Sequence, residues 1–269
     1  MTEFGIFGDI KIDLDSDFVA TAEVQRGPHN FFDQQMIADL ASGFEALDND
    51  TGCRAIVLCA EGKNFCAGAN FGSKLDSGVP KNLAGKGSSG KGRHLYDEAV
   101  RLFSTRTPVV GAIQGQAVGG GLGLALMPDF RVASKDSKFS ANFARLGFHH
   151  GFGLSATLPR IVGMQKALDL LYTGRRVSGE EAFEIGLCDR LVSNDTIRTS
   201  AKELAAEIAT SGPLAVDSIR QTMRGDLAEA VRNATAHEKV EQDRLAATND
   251  FKEGIKAMSE RRPPDFSGT

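Results

Sequence analysis

The stretch from Ala112 to Ala133, AIQGQAVGGGLGLALMPDFRVA, constrains the fold of this chain more than any other. A short apolar strand breaks at Gly115, and the glycines at 119–121 lead directly into an apolar helical segment that Pro128 closes. Glycines at such a turn leave bare backbone where a ligand can approach. The amides of a helix's first turn have no intrahelical acceptor and carry the positive end of the helix dipole. The turn is therefore a candidate receptor for an anion, including one that exists only in a transition state.

A second glycine turn follows an earlier predicted strand, Ala55 to Cys59, and reads EGKNFCAGAN from Glu61 to Asn70. One glycine-rich turn alone is as consistent with plain packing as with a site. A dinucleotide site is disfavoured because residue 124, where that motif needs glycine, is Leu. Two such turns, each after a buried strand, favour a ligand site.

Together, the FCAGAN and GGGLGLAL turns resemble the two signatures of the crotonase superfamily, which includes enoyl-CoA hydratases and isomerases. In that family each turn supplies one backbone amide to an oxyanion hole for a thioester carbonyl. The resemblance assigns those amides to Ala69 and Gly120, and makes Ala67 a contact of coenzyme A (CoA). It covers about residues 10 to 266. It implies an α/β fold, a crotonase-like spiral of ββα repeats over residues 1–195, followed by a helical trimerisation module over residues 196–269.

The composition is that of an ordinary soluble globular protein, with 41% apolar and 25% charged residues and a net charge of −4. This balance argues against a nucleic-acid binder. No apolar run reaches the ~18 residues of a membrane span, and the first residues are acidic where a secretory signal is basic. We therefore expect a cytoplasmic protein. The four cysteines lack a CxxC pair and a histidine-rich metal spacing, so we expect reduced core residues and no metal.

The N-terminal half begins with a strand, a turn and a helix. Residues 18–24 alternate as a half-buried strand does, and Asp33 is placed to cap a helix with apolar residues at helical spacing. The turn between them, Gln25 to Asn30, lies beside the CoA in the related family, and Arg26 is its charged residue. A solvated surface arginine is an equally good interpretation of Arg26.

Residues 73–92 are rich in Gly and Pro, carry four lysines and one acid, and are predicted to be a loop. This positive charge would attract the phosphates of a nucleotide carrier, with Lys74 as the candidate contact. A solvated flexible loop is the favoured alternative. The same lysines raise the hypothesis of an RNA-binding relative, but they are too few to support it well.

The resemblance does not extend to the two positions whose side chains transfer protons in the family. Family hydratases carry two glutamates that hold and activate water, and isomerases use the second one as a base. The matching positions in this chain are Gly123 and Phe143, and neither residue can exchange a proton. The resemblance therefore implies thioester binding and enolate stabilisation, whereas the acid–base group is open.

His149 and His150 are the first candidates for the missing acid–base group, because an imidazole titrates near neutral pH. They lie close to where other branches of the family place a catalytic Asp. We expect at least one of them to face the acyl pocket, and a nearby helix start to keep His150 neutral. A hydrogen-bonded structural histidine is the better interpretation for either one alone. A metal site is disfavoured because adjacent side chains diverge and no third ligand is evident.

Tyr96 is the next candidate. It lies on a predicted helix from Arg93 to Ser104, and its phenol needs a partner if buried. The resemblance places Tyr96 along the acyl pocket, where the 4-chlorobenzoyl-CoA dehalogenase branch has a histidine. Core packing is the favoured alternative.

The remainder of the chain is predicted to be helical, with helices near residues 194–211, 213–224, 226–246 and 248–261. Before them, Ser178 and Glu181 have the spacing of a capping box. In the related family the last segment folds over an active site and mediates trimer contacts, with Phe251 and Lys252 near the CoA of a neighbour. The resemblance thus implies a homotrimer or a hexamer of two trimers.

Three functional hypotheses remain from the sequence. The first is an enzyme of the hydratase/isomerase kind that acts on a CoA thioester through an enolate, with displaced acid–base residues. The second is a hydrolase, lyase or decarboxylase that uses His149 or His150. The third is a CoA- or RNA-binding relative without turnover. In all but the RNA case CoA enters as part of the ligand, and we expect no prosthetic group.

Overall fold

A mixed sheet and a helical C-terminal part make up the chain in the computed structural model, which describes residues 2–70 and 93–269. The strands are β1 (Thr2–Phe7), β2 (Ile10–Leu14), β3 (Val19–Val24), β4 (Ala55–Ala60), β5 (Val109–Ile113), β6 (Gln116–Val118), β7 (Phe130–Ser134), β8 (Lys138–Ser140), β9 (Arg176–Ser178) and β10 (Arg190–Val192). The helices are α1 (Gln34–Asp48), α2 (Leu95–Phe103), α3 (Gly120–Ala125), α4 (Leu154–Val162), α5 (Met164–Thr173), α6 (Gly179–Glu184), α7 (Ile197–Ala209), α8 (Pro213–Arg224), α9 (Leu227–Ala246) and α10 (Asn249–Glu260).

The larger sheet has the strand order β1-β2-β3-β4-β5-β7-β10. Its first three strands pair antiparallel, and the pairs from β3 to β10 are parallel. Every residue of β4 and β5 is buried, as expected of parallel strands that are covered on both faces. The glycine turns follow these two central strands at the same edge of the sheet, because parallel neighbours end on the same side.

A smaller sheet of β6, β8 and β9 receives the chain after it leaves the larger one. β5 continues into β6 and then α3, and β7 continues into β8 and then a 3-10 turn at Ala144–Leu146. After β4, Cys66 makes a single parallel bridge to Ala117 of β6. The order of large-sheet strand, small-sheet strand and helix therefore repeats. This confirms the predicted α/β spiral of ββα units.

The C-terminal helices share the core of the preceding residues. Ala201, Ala205 and Ala209 of α7 pack against one face of the larger sheet. Leu227 and Val231 of α9 belong to the core cluster that also contains α1 and α2. The boundary predicted at residue 195 falls within a 3-10 turn. Helix α8 differs from its neighbours, because none of its residues is buried.

Local signals placed several elements correctly. The Asp33 carboxylate accepts the Met36 amide at 2.9 Å and begins α1, and the Ser178 hydroxyl accepts the Glu181 amide at 3.2 Å and begins α6. The predicted C-terminal helices all form within a few residues of their expected bounds. The hairpin of β1 and β2 and the smaller sheet are not among the sequence predictions.

All four cysteines are free and buried, which confirms their predicted place in the core. Burial raises the pKa of the Cys66 thiol to about 12. Among the described residues, no helix is long and apolar enough to cross a membrane, and no group of three His, Cys, Asp or Glu side chains is arranged to hold a metal ion.

Candidate active site

Backbone hydrogen bonds hold the two glycine turns side by side. The amide of Phe65 donates to Gln114 O at 2.8 Å, and the amide of Cys66 donates to Gln116 O at 2.9 Å. The amide of Val118 returns a bond to Cys66 O at 3.1 Å. The segment after β4 is thus joined like a short strand to the segment after β5, which brings together turns about fifty residues apart in sequence.

Glycine is required where the two turns touch. A Cβ atom on Gly121 would lie 2.2 Å from the carbonyl oxygen of Cys66, and one on Gly68 would lie 2.6 Å from that of Val118. The same position on Gly68 is 3.9 Å from the amide nitrogen of Gly120. Gly68 also has a φ of +84°, a conformation that favours glycine. The backbone after the first turn therefore lies next to the first amide of α3.

The amides of Ala69 and Gly120 are left without a protein acceptor in the described parts of the chain. Gly119, which precedes α3, donates its own N–H to Ser140 O at 2.8 Å. Its carbonyl accepts the amides of Leu122 and Gly123. None of these hydrogen bonds uses the N–H of Gly120, the first residue of the helix, as its donor. Both amides that the resemblance singles out are thus available to an external acceptor.

A cavity of about 450 Å³ opens onto both turns. Ala67, Ala69 and Gly120 line it, and so does Tyr96. The other described lining residues are Phe31, Phe32, Gly68, Asn70, Leu95, Gln116, Val118, Gly119, Asn142, Phe143, Leu146, Phe148, Gly151, Phe152, Arg176, Gln242 and Met258. Among the described lining residues Arg176 is the one charged side chain, and Asp, Glu, His and Lys do not occur.

Aromatic rings stand at the two positions where the resemblance places hydratase glutamates. A Cβ atom on Gly123 would lie 2.8 Å from Cβ of Phe152 and 2.9 Å from its Cδ1, so the Phe152 side chain fills that space. Phe152 is 1% exposed. At the second position Phe143 itself faces the cavity, and its Cζ is 3.7 Å from where a Cβ atom on Gly119 would be.

Tyr96 is tied to α9 by a short hydrogen bond. Its hydroxyl donates to Gln242 Oε1 at 2.6 Å, and Gln242 Nε2 donates to His149 O at 3.0 Å. Gly151 packs so closely on this pair that a Cβ atom there would lie 2.1 Å from the Tyr96 hydroxyl. Burial raises the pKa of Tyr96 above its usual range. Tyr96 lines the cavity, as the resemblance implies, but its proton is engaged by Gln242 and held tightly.

The structure corrects the expectation that His149 or His150 faces the pocket. Neither is a lining residue, because the loop turns both rings toward α9. The rings stack with centroids 4.1 Å apart, and His149 also meets the ring of His237 edge-on. His150 Nε2 lies 2.7 Å from Ser155 Oγ. Their catalytic role stays a prediction that this geometry does not support.

Burial and the neighbouring histidines, rather than the helix start, lower the pKa of His150. Its pKa falls to about 4, first because the ring is buried and then because His149 and His237 lie nearby. The ring is therefore neutral at physiological pH, as the sequence predicts, but through a different cause.

Glu238 of α9 is a buried carboxylate that sequence reasoning missed. Its oxygens accept the amides of Gly153 at 2.8 Å and Ser155 at 2.9 Å, which caps the start of α4. It is 0% exposed, and burial raises its pKa. His150 Nε2 lies 4.0 Å from it. Glu238 and Gln242 together attach the loop before α4 to α9. The sequence signal for these two residues is their spacing of four, which places Glu238 and Gln242 one turn apart on the same face of a helix.

The predicted CoA contacts have different outcomes. Arg26 is not a lining residue, since its guanidinium pairs with Asp9 and, at 2.9 Å, with Asp33. Phe251 has no exposed surface, because its ring stacks on Phe148 with centroids 4.6 Å apart. Its ring therefore offers no surface to a ligand in this chain, and its predicted place near the CoA of a neighbour stays a prediction. Lys252 is exposed on α10 and its role stays a prediction, whereas Lys74 lies outside the described residues.

The chain is similar to known proteins over nearly its whole length. The family model described as enoyl-CoA hydratase/isomerase matches residues 16–269. A probable enoyl-CoA hydratase of Bacillus subtilis is 31% identical over 252 residues, which are 93% of this chain and 96% of that protein. The 1,2-epoxyphenylacetyl-CoA isomerase of Escherichia coli is 29% identical, over 89% of this chain and 90% of that protein.

The solved structures agree. The crystal structure of an enoyl-CoA hydratase/isomerase from Pseudoalteromonas atlantica superposes with a TM-score of 0.83 and 28% identity, over 96% of this chain and all of that one. Fold and cavity thus place the protein in the crotonase superfamily of acyl-CoA enzymes. More particularly, the chain belongs to the enoyl-CoA hydratase/isomerase family.

Proposed function

We propose that the protein is an enzyme that binds an acyl-CoA thioester in the 450 Å³ cavity and stabilises its enolate with the amides of Ala69 and Gly120. The observation that carries the proposal is that these two N–H groups lie on adjoining turns, line one cavity and have no protein acceptor in the described parts of the chain. Backbone donors fixed in this way act where negative charge develops on a reacting oxygen. CoA enters as part of the substrate, and the proposal needs no prosthetic group.

The proton-transfer step must differ from that of a two-glutamate hydratase. Positions 123 and 143 carry Gly and Phe, and the described cavity wall offers no carboxylate or imidazole. Tyr96 is the described lining residue with a titratable hydroxyl, and its raised pKa keeps that hydroxyl protonated, so it cannot serve as a base. We propose Tyr96 as a proton donor to the enolate, a step in which its hydroxyl leaves Gln242 Oε1 and turns toward the substrate.

The absence of a carboxylate or imidazole from the described cavity wall also favours a second candidate, a protein that binds CoA thioesters without turnover. Binding needs the two turns and the apolar cavity but no acid–base group. Incubation of the protein with a panel of acyl-CoAs, followed by mass spectrometry, separates the two candidates. An enzyme converts at least one thioester into a product that differs in mass or, for an isomerase, in chromatographic retention before the mass spectrometer, whereas a binding protein leaves every thioester unchanged.

Assembly into a homotrimer, or a hexamer of two trimers, is the third part of the proposal. It is supported by α8, where Leu214 is 85% exposed and Met223 is 74% exposed although both are large and apolar. A helix with such a surface is normally covered in a folded protein. The family resemblance implies that other copies of the chain cover it.

Calorimetry with acetyl-CoA and a mid-chain acyl-CoA tests the binding step directly. We expect heat of binding and a higher melting temperature with at least one of them. If neither ligand gives heat or thermal stabilisation at millimolar concentration, the proposed function is wrong.

The role of the Ala69 amide has its own test. Ala69→Pro removes the N–H group, whereas Ala69→Gly keeps it and serves as the matched control. Loss of one such donor lowers turnover by about 10²–10³-fold. We expect this loss in the proline variant only, with CoA affinity changed little. Equal turnover in both variants would show that this amide does not stabilise the transition state.

A further inference from the structure

The cavity wall is unusually rich in aromatic side chains. Six of the 21 described lining residues are aromatic, in a chain that is only 7% aromatic overall. These six are Phe31, Phe32, Tyr96, Phe143, Phe148 and Phe152. An aliphatic wall would bind an alkyl chain equally well, so the aromatic enrichment favours a ligand that itself carries an aromatic ring.

Three of the rings converge on the helix turn that carries the Gly120 amide. Phe32 is so close that a Cβ atom on Gly120 would lie 2.2 Å from its Cζ. Phe152 fills the space beside Gly123, and Phe143 lies across from Gly119. They come from three separate segments, before α1, before α4 and at the start of the 3-10 turn after β8. The rings therefore surround the place where a thioester carbonyl would meet the Gly120 amide.

Two of these rings are fixed by their packing. Phe32 and Phe152 are 4% and 1% exposed, and their centroids lie 5.6 Å apart with planes tilted by 55°. Phe103 supports Phe152 from behind at 6.3 Å. Each is at a centroid distance typical of favourable aromatic pairs. A wall of this kind is already organised before the ligand arrives.

Such a wall discriminates between ligands with equal numbers of carbon atoms. Each aromatic pair contributes about two- to tenfold in affinity beyond the burial of its area. A flexible alkyl chain gains no such pairs and also loses rotational freedom when it is bound. One or two ring contacts thus correspond to about threefold or more in affinity, since tenfold is about 1.4 kcal/mol.

We propose that the acyl group of the substrate carries a planar aromatic ring, that Phe143 contacts this ring next to the thioester carbonyl, and that the buried rings of Phe32 and Phe152 fix the shape of the cavity there. The inference rests on the proposed function, because it takes the cavity to be the acyl-CoA site. Phe143 is the specificity-determining residue that can be tested most cleanly, since it is only partly buried and its replacement disturbs the core least.

The test compares phenylacetyl-CoA with octanoyl-CoA, whose acyl groups have the same number of carbon atoms. Calorimetry gives the Kd of each, with free CoA as the common reference. We expect phenylacetyl-CoA to bind at least about threefold tighter. In Phe143→Leu, which keeps an apolar side chain but removes the ring, this ratio should fall at least threefold. Phe183→Leu, at an exposed position outside the cavity, is the matched control and should keep the wild-type ratio.

The outcomes separate the two proposals. If octanoyl-CoA binds as tightly as phenylacetyl-CoA or tighter, the aromatic substrate is wrong while the acyl-CoA site stands. If neither thioester binds, the proposed function itself fails. The wild-type ratio decides the question even if Phe143→Leu does not fold, and an unchanged ratio in a folded Phe143→Leu would remove Phe143 from the site.

Discussion

The side chain of Phe152 occupies the space that any side chain at residue 123 would need. A Cβ atom on Gly123 would come within 2.8 Å of Cβ and 3.1 Å of Cγ of Phe152. Both positions are buried, so neither group can move into solvent. A glycine and a phenylalanine thus fit each other where the family resemblance implies a glutamate. The absence of a carboxylate at residue 123 thus goes together with the presence of the Phe152 ring in the same space.

Gly123→Ala should therefore destabilise the protein unless Phe152 is also reduced in size. Overpacking of a filled core destabilises by about 1–3 kcal/mol, and Phe152→Ala alone leaves a cavity and destabilises by about 3–5 kcal/mol. In the double variant the new methyl group occupies part of that cavity, so the two effects should not add. Urea denaturation of the four proteins measures the coupling. Additive free energies would show that the two side chains do not compete for the same space.

Hydration of crotonyl-CoA should be very slow. Gly123 and Phe143 cannot hold or deprotonate water, and removal of an acid–base group lowers a rate by about 10²–10⁴-fold. The loss of absorbance of the conjugated double bond measures hydration directly. A two-glutamate hydratase assayed in parallel is the reference. Turnover in its range would show that the water-activating residues of this protein lie elsewhere, outside the described cavity wall.

The local features of this fold were readable from the sequence. Both glycine turns, their flanking strands and the caps of α1 and α6 depend on residues within a few positions of each other. The smaller sheet was not predicted, because β6, β8 and β9 have three residues each and are too short to show a period.

The direction of the His149 and His150 rings could not be predicted for a different reason. It depends on contacts with α9, a helix far along the chain. Gly153 and Glu238 are 85 residues apart, and Tyr96 and Gln242 are 146 apart. Periodicity places such residues on a helix face but does not show which distant loop that face receives. The backbone amides of the site were therefore easier to locate than its side chains.

Tyr96 and Gln242 should be coupled in stability. Tyr96→Phe leaves the buried Gln242 Oε1 without its donor, and an unsatisfied buried group destabilises by about 1–3 kcal/mol. Gln242→Met removes the acceptor and also the bond to His149 O. A double-mutant cycle by thermal or urea unfolding should give an interaction free energy of about 1 kcal/mol. If Tyr96 is also the proton donor, Tyr96→Phe should lower kcat more than KM changes, whereas a purely structural tyrosine leaves kcat intact.

Light scattering should give a mass of about three or six times 28.7 kDa at micromolar concentration. Leu214→Glu combined with Met223→Glu places charges on the exposed apolar surface of α8 and should shift the protein toward the monomer. Ile6→Glu changes another exposed apolar residue, on β1, and is the control. A wild-type mass near 28.7 kDa would contradict the assembly.

Replacement of His150 should change the pH dependence of stability rather than turnover. Sequence reasoning alone predicts at least a tenfold loss of turnover in His150→Ala, because it places the ring in the pocket. In the structure the ring lies within hydrogen-bonding distance of Ser155, stacks on His149 and is 4.0 Å from Glu238 of α9 instead. We therefore expect His150→Gln to keep turnover within about twofold at pH 7.5. A drop of tenfold or more in kcat with unchanged stability would return His150 to catalysis.

The stability effect has a definite sign. The folded pKa of His150 is about 4, below the ordinary value of 6.5, so the unfolded chain takes up its proton first as the pH falls. The contribution of the neutral His150 ring to the free energy of unfolding is fully present above pH 6.5. It is lost as the pH falls toward about 4, by about 3 kcal/mol at most. Glu238 opposes this trend, because its raised pKa stabilises the folded state at low pH in wild type and variant alike. Unfolding curves at pH 7.5 and pH 4.5 should thus show a smaller acid-induced loss in His150→Gln than in wild type. His29→Gln, whose ring contacts Phe31 and Asn64 instead, is the control and should follow wild type.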